Sequence, residues 1–317
     1  MRQTGPPPRP LSTTEFVVPA ESAGERLDRF LSERLTDLSR AQIQRLVERG
    51  EITLDGAATR PAERLKPGQV IRVAVPEPEP VGIVPTEIPL NIVYEHPEFV
   101  VVNKPAGLVV HPAPGHPNDT LANALMARYP NLAVGNAQRP GIVHRLDKGT
   151  SGLMVAALSD RAFHHFVEQM KNHETRKEYL GLVHGEFPHE SGVIEAPIGR
   201  DHANRQKMGI VKEGREARTH FRVVERFPDY TLMRFILETG RTHQIRVHAA
   251  SVGYPIVGDV IYGPRKPGLN LTRPFLHSAR LGFQVPGEEC CLVTQAPLPE
   301  DLERVLERLR DGEEEAI

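Results

Sequence analysis

The chain has 317 residues and a formal net charge of −2, with 39% hydrophobic and 25% charged residues. This length is typical of about two domains, and the hydrophobic fraction is sufficient for packed cores, which excludes a wholly disordered chain. No apolar run reaches the ~18 residues of a membrane span, and the N-terminus lacks the apolar segment of a signal peptide. The two cysteines are adjacent and cannot form a disulfide framework, so we expect a reducing, cytoplasmic environment.

Two proline-rich stretches flank the first predicted domain. Residues 1–13 include the run Gly5-Pro-Pro-Pro-Arg-Pro10 and predict a disordered tail, because proline supports neither a helix interior nor a central strand. Residues 76–89 begin with Pro76-Glu-Pro-Glu-Pro80 and predict a semi-rigid linker, since proline favours extended backbone. Residues 14–75 are therefore expected to fold as a separate domain.

This first domain has the pattern of a small α/β module. Apolar residues at helical spacing indicate a first helix, and Ser39 is a suitable N-cap for a second helix that ends at Gly50. The alternating segment 51–56 and the run 70–75 indicate short strands that follow the helices.

The order of short motifs in the module resembles an S4-type RNA-binding domain. The motifs are Arg-Leu-Asp in the first helix, Ser-Arg at the start of the second, then Asp-Gly and Pro-Gly-Gln in the strand region. The resemblance implies that three polar residues of the second helix, Arg40, Gln44 and Arg45, contact phosphates or sugars of an RNA. Such contacts contribute affinity but little sequence information. A solvated helix face is the alternative interpretation of these residues.

Residues 90–297 contain strand-like and helix-like runs in an irregular order. Strand-like runs occur at 99–103, 152–158, 179–184, 220–225 and 231–237, and helix-like runs at 120–129, 159–171 and 242–252. Because the strands follow one another more than they alternate with helices, we predict an α+β domain around a mixed, largely antiparallel sheet flanked by helices.

Residues 298–317 predict an exposed acidic helix that continues into a tail. The last 18 residues carry 8 acidic and 3 basic side chains, so the negative charge of the chain is concentrated here. The stretch 200–222 is locally basic, which fits either a solvated hairpin or an anion-binding surface. Charge alone therefore does not decide whether nucleic acid is a partner.

Motifs for several common chemistries are missing from the sequence. There is no Walker A motif, no GxGxxG, no CxxC, no HExxH and no GxSxG. The adjacent pair His164 and His165, and the pair His243 and His248, do not have the spacing that places two side chains on one helix face. The missing motifs therefore give no support for a nucleotide cofactor, and ordinary surface or core histidines are expected in place of a metal site.

Three other segments carry candidate site residues. Asp147 lies in the glycine- and hydroxyl-rich segment 141–155, which predicts either a simple tight turn or a carboxylate presented in a cleft. Tyr179 stands at the head of a strand and could stack on a base. Arg241 and Arg246 open a helix, an arrangement typical of phosphate or carboxylate binding or of a structural ion pair.

Together these segments resemble the RluA-type RNA pseudouridine synthases, over nearly all of residues 90–297. The S4-like module in front matches the domain order of the members that act on the large ribosomal subunit, and further motifs are most similar to the RluD subgroup. The motifs that match the family are His144-Arg-Leu-Asp147, Thr150-Ser-Gly152, Lys177-Glu-Tyr179, Gly240-Arg-Thr-His-Gln-Ile-Arg-Val-His248 and Gly258-Asp259.

The resemblance implies that the protein isomerises uridine to pseudouridine in RNA, without a cofactor or a metal. Asp147 matches the essential aspartate, which could attack C1′, stabilise positive charge there or remove a proton from C2′. Arg246 matches the arginine that pairs with this aspartate, and Tyr179 matches the tyrosine that stacks on the target base. Arg145 matches the arginine that fills the space of the flipped base, with a surface ion pair as the alternative. Arg241 is expected to support the loop or to contact phosphate.

Two other function classes remain open from the sequence. A non-catalytic RNA-binding factor in ribosome assembly is disfavoured, because such a protein does not need Asp147, Tyr179 and Arg246 together. A glycosidase-type hydrolase needs a carboxylate pair, and no second acid has a context like that of Asp147. Large-subunit ribosomal RNA is the expected partner, transfer RNA is the alternative, and a monomer is expected.

Overall fold

The computed structural model describes residues 10–35, 40–76, 83–130, 132, 134–136, 139–201, 207–264 and 268–312. The chain divides into two compact units, Met1–Val81 and Gly82–Ile317. Within the described ranges, no helix is long and apolar enough to cross a membrane. The predictions for the tail before Pro10, for the N-cap Ser39 and for the end of the acidic tail after Gly312 fall outside these ranges.

The first unit combines one antiparallel sheet with two helices. Its elements are β1 (Pro10–Val17), α1 (Leu27–Arg34), α2 (Arg40–Glu48), β2 (Ile52–Leu54), β3 (Ala57–Ala58) and β4 (Val70–Pro76). The strands pair in the order β1-β4-β2-β3. Leu27, Phe30 and Leu31 of α1 are at most 1% exposed and pack with Ile43 of α2, as their helical spacing predicts. Burial of each such side chain contributes about 1.5–3 kcal/mol, and the predicted α/β module is confirmed.

A nine-stranded sheet forms the centre of the second unit. The strands of this unit are β5 (Ile92–His96), β6 (Phe99–Lys104), β7 (Gly135–Asn136), β8 (Arg139–Pro140), β9 (Ser151–Ala157), β10 (Arg176–His184), β11 (Ser191–Glu195), β12 (Ile198–Arg200), β13 (Met208–Ile210), β14 (Arg218–Phe227), β15 (Tyr230–Leu237), β16 (Leu276–Gln284) and β17 (Cys291–Gln295).

The order along this sheet is β11-β14-β15-β10-β16-β9-β6-β5, and β17 pairs with β16. Strands β16 and β9 run parallel, whereas the other neighbouring pairs of the sheet run antiparallel. Strands β7 and β8, and likewise β12 and β13, form separate two-stranded ribbons. The predicted mixed, largely antiparallel sheet is confirmed.

Four helices flank the sheet in the described part of the second unit: α3 (Leu121–Arg128), α4 (Asp160–Lys171), α5 (Gln244–Ser251) and α6 (Glu300–Arg310). The N-cap side chain of Ser159 accepts a hydrogen bond from the backbone N–H of Ala162, which fixes the start of α4 close to where the sequence predicts it. Helix α5 begins later than the predicted 242, because His243 adopts a left-handed conformation with φ of 57°.

The core of the second unit centres on β9, whose residues are all buried. Three phenylalanines of the same core, Phe99, Phe166 and Phe283, contact one another edge to face. Their ring centroids lie 5.4 Å (Phe99–Phe166), 5.5 Å (Phe99–Phe283) and 5.1 Å (Phe166–Phe283) apart. Such contacts add about 0.5–1.5 kcal/mol per pair beyond the burial of area. The loop before β9 and the head of β10 therefore start from a rigid base.

Two segments pack on the second unit more closely than their composition predicts. The carbonyl of Val84 accepts a hydrogen bond from Asn123 Nδ2 at 2.8 Å, and the N–H of Thr86 donates to the carbonyl of Asn123 at 3.1 Å. Helix α6 is acidic on one side only, and its buried Leu302 and Leu306 join an apolar cluster of this unit. Amphipathic spacing thus outweighs the net charge of the segment.

Candidate active site

Hydrogen bonds hold the loop that carries Asp147 on both sides of this residue. His144 Nε2 accepts a hydrogen bond from the backbone N–H of Val155 in β9 at 3.0 Å. The carbonyl of Lys148 accepts one from the N–H of Gly107 at 2.7 Å, and the N–H of Thr150 donates to the carbonyl of Asp147 at 3.1 Å. Asp147 therefore lies in a tight turn whose backbone is fixed, as its glycine- and hydroxyl-rich context suggests.

The glycine of the Thr150-Ser-Gly152 motif has a steric explanation. Gly152 has a φ of 116°, and a Cβ at this position would lie 2.3 Å from the carbonyl oxygen of Ser278. Only glycine allows β9 and β16 to approach so closely where their parallel pairing begins. This contact determines where the loop leaves the sheet.

Arg246 connects two aspartates. Its Nη1 donates to Asp147 Oδ2 at 3.0 Å, whereas Nε and Nη2 donate to Oδ2 and Oδ1 of Asp259 at 2.6 and 2.9 Å. Asp259 Oδ1 also accepts from the backbone N–H groups of Ile261 and Tyr262 at 2.9 and 3.2 Å. The bidentate pair with Asp259 thus fixes the plane of the guanidinium, which presents one N–H to Asp147.

Burial and charge act in opposite directions on Arg246 and Asp259. Burial alone would lower the pKa of Arg246, but the hydrogen bonds and charge of Asp259, and then those of Asp147, raise it above its ordinary value. Burial would raise the pKa of Asp259, but the hydrogen bonds and charge of Arg246 hold it below its ordinary value. Both groups therefore keep their charges at neutral pH, and a permanent cation lies beside Asp147.

His243 faces the second oxygen of Asp147. Its Nε2 lies 3.8 Å from Asp147 Oδ1, and its Nδ1 lies 2.8 Å from Tyr262 Oη. The backbone N–H of Met208 donates to Tyr262 Oη at 3.0 Å, so the phenol proton is available for His243 Nδ1. Burial lowers the pKa of His243 although the charge of Asp147 opposes this, so we assign a neutral imidazole with its proton on Nε2.

A cavity of about 450 Å³ opens in front of Asp147. Asp147 is the one carboxylate among the described residues that line it. The arginines and lysines among the lining residues are Arg145, Lys171, Lys177, Arg241 and Arg246. The cavity therefore suits a ligand that carries or develops negative charge, and its described lining does not contain the carboxylate pair of a glycosidase.

Tyr179 lines the same cavity from β10 and is only 6% exposed. Burial, and then the charge of Asp147, raises the pKa of its phenol above the ordinary value. The side chain therefore stays protonated and is a weak base, which leaves its ring as the useful surface.

Arg145 and Arg241 line the cavity in different ways. Arg145 is exposed, and no carboxylate of the described residues forms an ion pair with it. Arg241 Nε donates to the carbonyl of Glu216 at 2.9 Å, and its backbone N–H donates to Gln244 Oε1 at 2.9 Å. Arg241 is thus hydrogen-bonded to Glu216 and to Gln244 at the start of α5.

Two of the predicted RNA-binding residues of the first unit, Arg40 and Gln44, contact Asp28, which is fully buried. Asp28 Oδ2 accepts from Nε and Nη2 of Arg40 at 3.1 and 3.0 Å and from Nε2 of Gln44 at 2.9 Å. Both oxygens of Asp28 also accept from Arg26, at 3.0 and 2.9 Å. Arg40 remains 52% exposed despite these bonds. The side chain of Arg45 lies outside the described part of the chain.

Sequence reasoning did not assign roles to several residues in or next to the cavity. Asp259 and Lys177 stand in motifs that were matched to the family, so a pattern could have indicated them. His243 lies between the two arginines of its motif, but its contact with Tyr262 spans 19 positions and has no local signal. Lys104, which donates to the carbonyls of Pro105 and Leu108 at 2.9 Å, is likewise recognisable only in the folded chain.

Comparisons with known proteins agree with this geometry. Residues 98–251 match the RNA pseudouridylate synthase family, and residues 25–71 match the S4 domain. An uncharacterized RNA pseudouridine synthase of Chloroflexus aurantiacus is 53% identical over 295 residues, which cover 93% of this chain and 93% of the relative. The ribosomal large subunit pseudouridine synthase D of Xanthomonas campestris pv. campestris is 41% identical over 95% of this chain and 93% of the relative.

The fold is shared with solved structures as well. The human RNA pseudouridylate synthase domain containing 1 matches with a TM-score of 0.55 and 26% identity, over 74% of this chain and 97% of that chain. Relatives far above 30% identity cover almost the whole length, and the motif residues meet at one cavity. The chain belongs to the RluA-type RNA pseudouridine synthases that carry an S4 domain in front of the catalytic domain.

Proposed function

We propose that this pseudouridine synthase acts on uridines of large-subunit ribosomal RNA and that Asp147 is its catalytic carboxylate. The observation that carries the assignment of Asp147 is its position as the one acid among the described lining residues of a cationic cavity. The RNA target is supported by relatives at 39–41% identity over most of the chain whose names refer to the large ribosomal subunit. The S4 domain supports binding of a structured RNA.

The reaction breaks the N1–C1′ bond of uridine, turns the uracil and joins C5 to C1′. Positive charge develops at C1′ when the base leaves. An ionised carboxylate beside the sugar can attack C1′ or stabilise this charge. Oδ2 of Asp147 accepts the hydrogen bond of Arg246 at 3.0 Å, whereas Oδ1 accepts no hydrogen bond from the described residues and lies 3.8 Å from His243 Nε2. We therefore assign Oδ1 as the oxygen that faces C1′ and its neighbours.

Arg246 and Asp259 act as positioning residues for this carboxylate. The bidentate pair fixes the guanidinium before substrate arrives, so the rotamer of Asp147 is selected in advance. The positive charge of Arg246 also lies next to the carboxylate that the chemistry uses. Neither residue has to exchange a proton during the reaction.

The target base must leave its helix to reach this cavity, at a cost of a few kcal/mol. We propose that the ring of Tyr179 then stacks on the uracil, since a protonated phenol in the wall offers an aromatic face and no base. Arg145 is exposed and has no ion pair among the described residues, so its planar guanidinium is available to occupy the space that the base vacates.

We propose that the first unit contributes affinity for the RNA. Arg40 and Gln44 are organised by Asp28, and the exposed part of the Arg40 guanidinium can still meet a phosphate. This contribution is independent of the sequence around the target uridine, so the catalytic cavity has to select the nucleotide itself.

Mapping pseudouridine across total RNA tests the proposed target. A strain that lacks this protein should lose pseudouridine at a small set of positions in large-subunit ribosomal RNA, and the wild-type gene should restore them. Loss confined to transfer RNA would contradict the ribosomal target while leaving the activity intact. Release of free uracil from the RNA, without pseudouridine, would contradict isomerisation.

A further inference from the structure

Lys177 occupies the same wall of the cavity as Tyr179. The two residues are separated by two positions on β10, so their side chains leave the same face of the sheet. Both line the cavity, and Lys177 is as deeply buried as Tyr179, at 6% exposure. A buried ammonium therefore lies beside the ring that is proposed to stack on the base.

This ammonium has no oxygen partner among the described residues. The one hydrogen-bond acceptor within reach of Lys177 Nζ is the thioether Sδ of Met170 at 3.9 Å, which is a weak acceptor. On the neighbouring strands its cross-strand partners are Leu237 and Leu281. Burying a charge without a polar partner is costly, so this position is unfavourable unless a ligand supplies the missing acceptor.

The next residue on the strand, Glu178, is acidic but lies on the opposite face of the sheet from Lys177. Glu178 points away from the cavity and forms ion pairs with Arg176 at 2.6 Å, with Arg280 at 3.3 Å and with Arg234 at 3.4 Å. The sheet therefore separates a charge cluster with ion-pair partners from the buried ammonium of Lys177.

Two further observations support a ligand at this place. Burial lowers the pKa of Lys177 to about 8, so the ammonium is still mostly protonated at neutral pH. The hydroxyl of Thr150, which also lines the cavity, is buried and has no hydrogen-bond partner in the described part of the chain. Two unsatisfied polar groups in one cavity are typical of a site that binds a polar ligand.

The chemistry of the neighbours favours a base oxygen over a phosphate. A phosphate is strongly hydrated and suits the exposed Arg145, whereas Lys177 is enclosed beside an aromatic ring. A uracil ring stacked on Tyr179 has its carbonyl oxygens O2 and O4 at the edge of the ring. Lys177 projects from the same face of the strand as Tyr179, so its ammonium can approach one of these oxygens.

We propose, on the basis of the function proposed above, that Lys177 is a catalytic residue whose ammonium donates a hydrogen bond to a carbonyl oxygen of the target uracil. When the N1–C1′ bond breaks, its electron pair stays on the uracil and spreads over N1, O2 and O4. Lys177 stabilises this anion without giving up its proton. When C5 joins C1′, the proton on C5 is lost and N1 gains a proton. The uracil is then neutral again, and the ammonium of Lys177 is unchanged. A donor fixed in a dry site contributes most where charge develops.

The test compares uridine with 5-fluorouridine at the target position of a short RNA. Fluorine withdraws electrons and makes the uracil anion more stable, so a substrate with fluorine depends less on Lys177. We expect Lys177→Met to slow single-turnover loss of the uridine by about 100-fold at saturating RNA, and loss of 5-fluorouridine by about tenfold or less. The substrate nucleosides are counted by mass spectrometry after nuclease digestion.

Three controls accompany this variant. Thermal unfolding shows whether Lys177→Met is folded, and Lys177→Arg, which keeps the charge, should recover part of the rate on uridine. Lys171→Met removes an exposed lysine at the same cavity and should leave the ratio between the two substrates at the wild-type value. An equal loss on both substrates, or full activity of Lys177→Met on uridine, would overturn this role alone. Wild-type protein that converts no uridine in any RNA would overturn the proposed function and this role with it.

Discussion

Asp28 in the first unit and Asp147 in the second are both aspartates beside arginines, but they are satisfied to different degrees. Asp28 is fully buried, and its two oxygens accept hydrogen bonds from Arg26, Arg40 and Gln44. Asp147 is 18% exposed, and only its Oδ2 accepts a strong hydrogen bond, from Arg246. The saturated carboxylate joins two helices, whereas the half-satisfied one lies open to a cavity.

This difference teaches how the same ion pair serves two purposes. A buried carboxylate whose two oxygens both accept hydrogen bonds can contribute to stability but cannot meet a substrate. In the second unit the corresponding aspartate is Asp259, both oxygens of which accept hydrogen bonds from Arg246. Asp259 thus fixes Arg246, and one oxygen of Asp147 stays available for a substrate. Variants of the arginines and aspartates should therefore separate loss of stability from loss of activity.

Among the variants that compare the two units, the largest effect is expected from Arg246→Ala. Removing the guanidinium leaves Asp259 buried without its partner and Asp147 without its positioning hydrogen bond. Breaking a buried ion pair in this way lowers the free energy of unfolding by about 3–5 kcal/mol. The single-turnover rate at saturating RNA should fall by at least about 100-fold. Arg246→Lys keeps a charge but not the bidentate geometry and should stay impaired.

The matched control for this prediction is Arg40→Ala, which breaks the corresponding pair in the first unit. Its rate at saturating RNA should stay within about twofold of the wild-type rate, because Arg40 is half exposed and outside the cavity. If both arginine variants lost activity to the same degree, the contrast between the two aspartates would be wrong.

An intermediate effect is expected when residues 1–75 are removed. The RNA concentration for half-maximal rate should rise by about tenfold, since phosphate and sugar contacts carry affinity. The rate at saturating RNA should change by less than about twofold, because the cavity residues all belong to the second unit. Titration of the RNA under single-turnover conditions separates the two quantities, and a drop as deep as that of Arg246→Ala would refute this division of roles.

The smallest effect on activity is expected from Asp28→Ala, which should mainly lower stability. The hydrogen bond from Arg26, then those from Gln44 and Arg40, holds the pKa of Asp28 well below its ordinary value. A depressed pKa means that the stabilisation, about 1–3 kcal/mol, is present above about pH 4 and is lost as the pH falls below it.

Thermal unfolding between about pH 7 and pH 3 measures this prediction. Wild-type protein should lose stability on the acid side, and Asp28→Ala should start from a lower melting temperature with a flatter acid dependence. A variant that melts like the wild-type protein at neutral pH would show that the buried cluster around Asp28 does not stabilise the first unit.

Local patterns predicted the elements but not the partners of their polar residues. The apolar spacing of Leu27, Phe30 and Leu31 indicated α1, and the apolar run before Leu158 indicated β9. On α2, helical spacing placed Arg40 and Gln44 away from the apolar face, which is typical of a solvated face. Their actual partner, Asp28, belongs to another helix. Tertiary hydrogen bonds of this kind leave no periodic signal.

The site was predicted to the extent that its residues stand in motifs. Asp147, Tyr179 and Arg246 line one cavity although they are far apart in the chain, and the resemblance to a known family named all three. The left-handed His243, which delays the start of α5, and the unpartnered ammonium of Lys177 could not be predicted, because each depends on packing around the cavity.

Tritium release from RNA labelled at C5 of uridine tests the role of Asp147 most directly, with RNA binding measured in parallel. Wild-type protein should release tritium, whereas Asp147→Asn should release none above background and still bind the RNA with an affinity within about threefold of the wild-type value. Turnover by Asp147→Asn at the wild-type rate would contradict the assignment of Asp147 as the catalytic carboxylate.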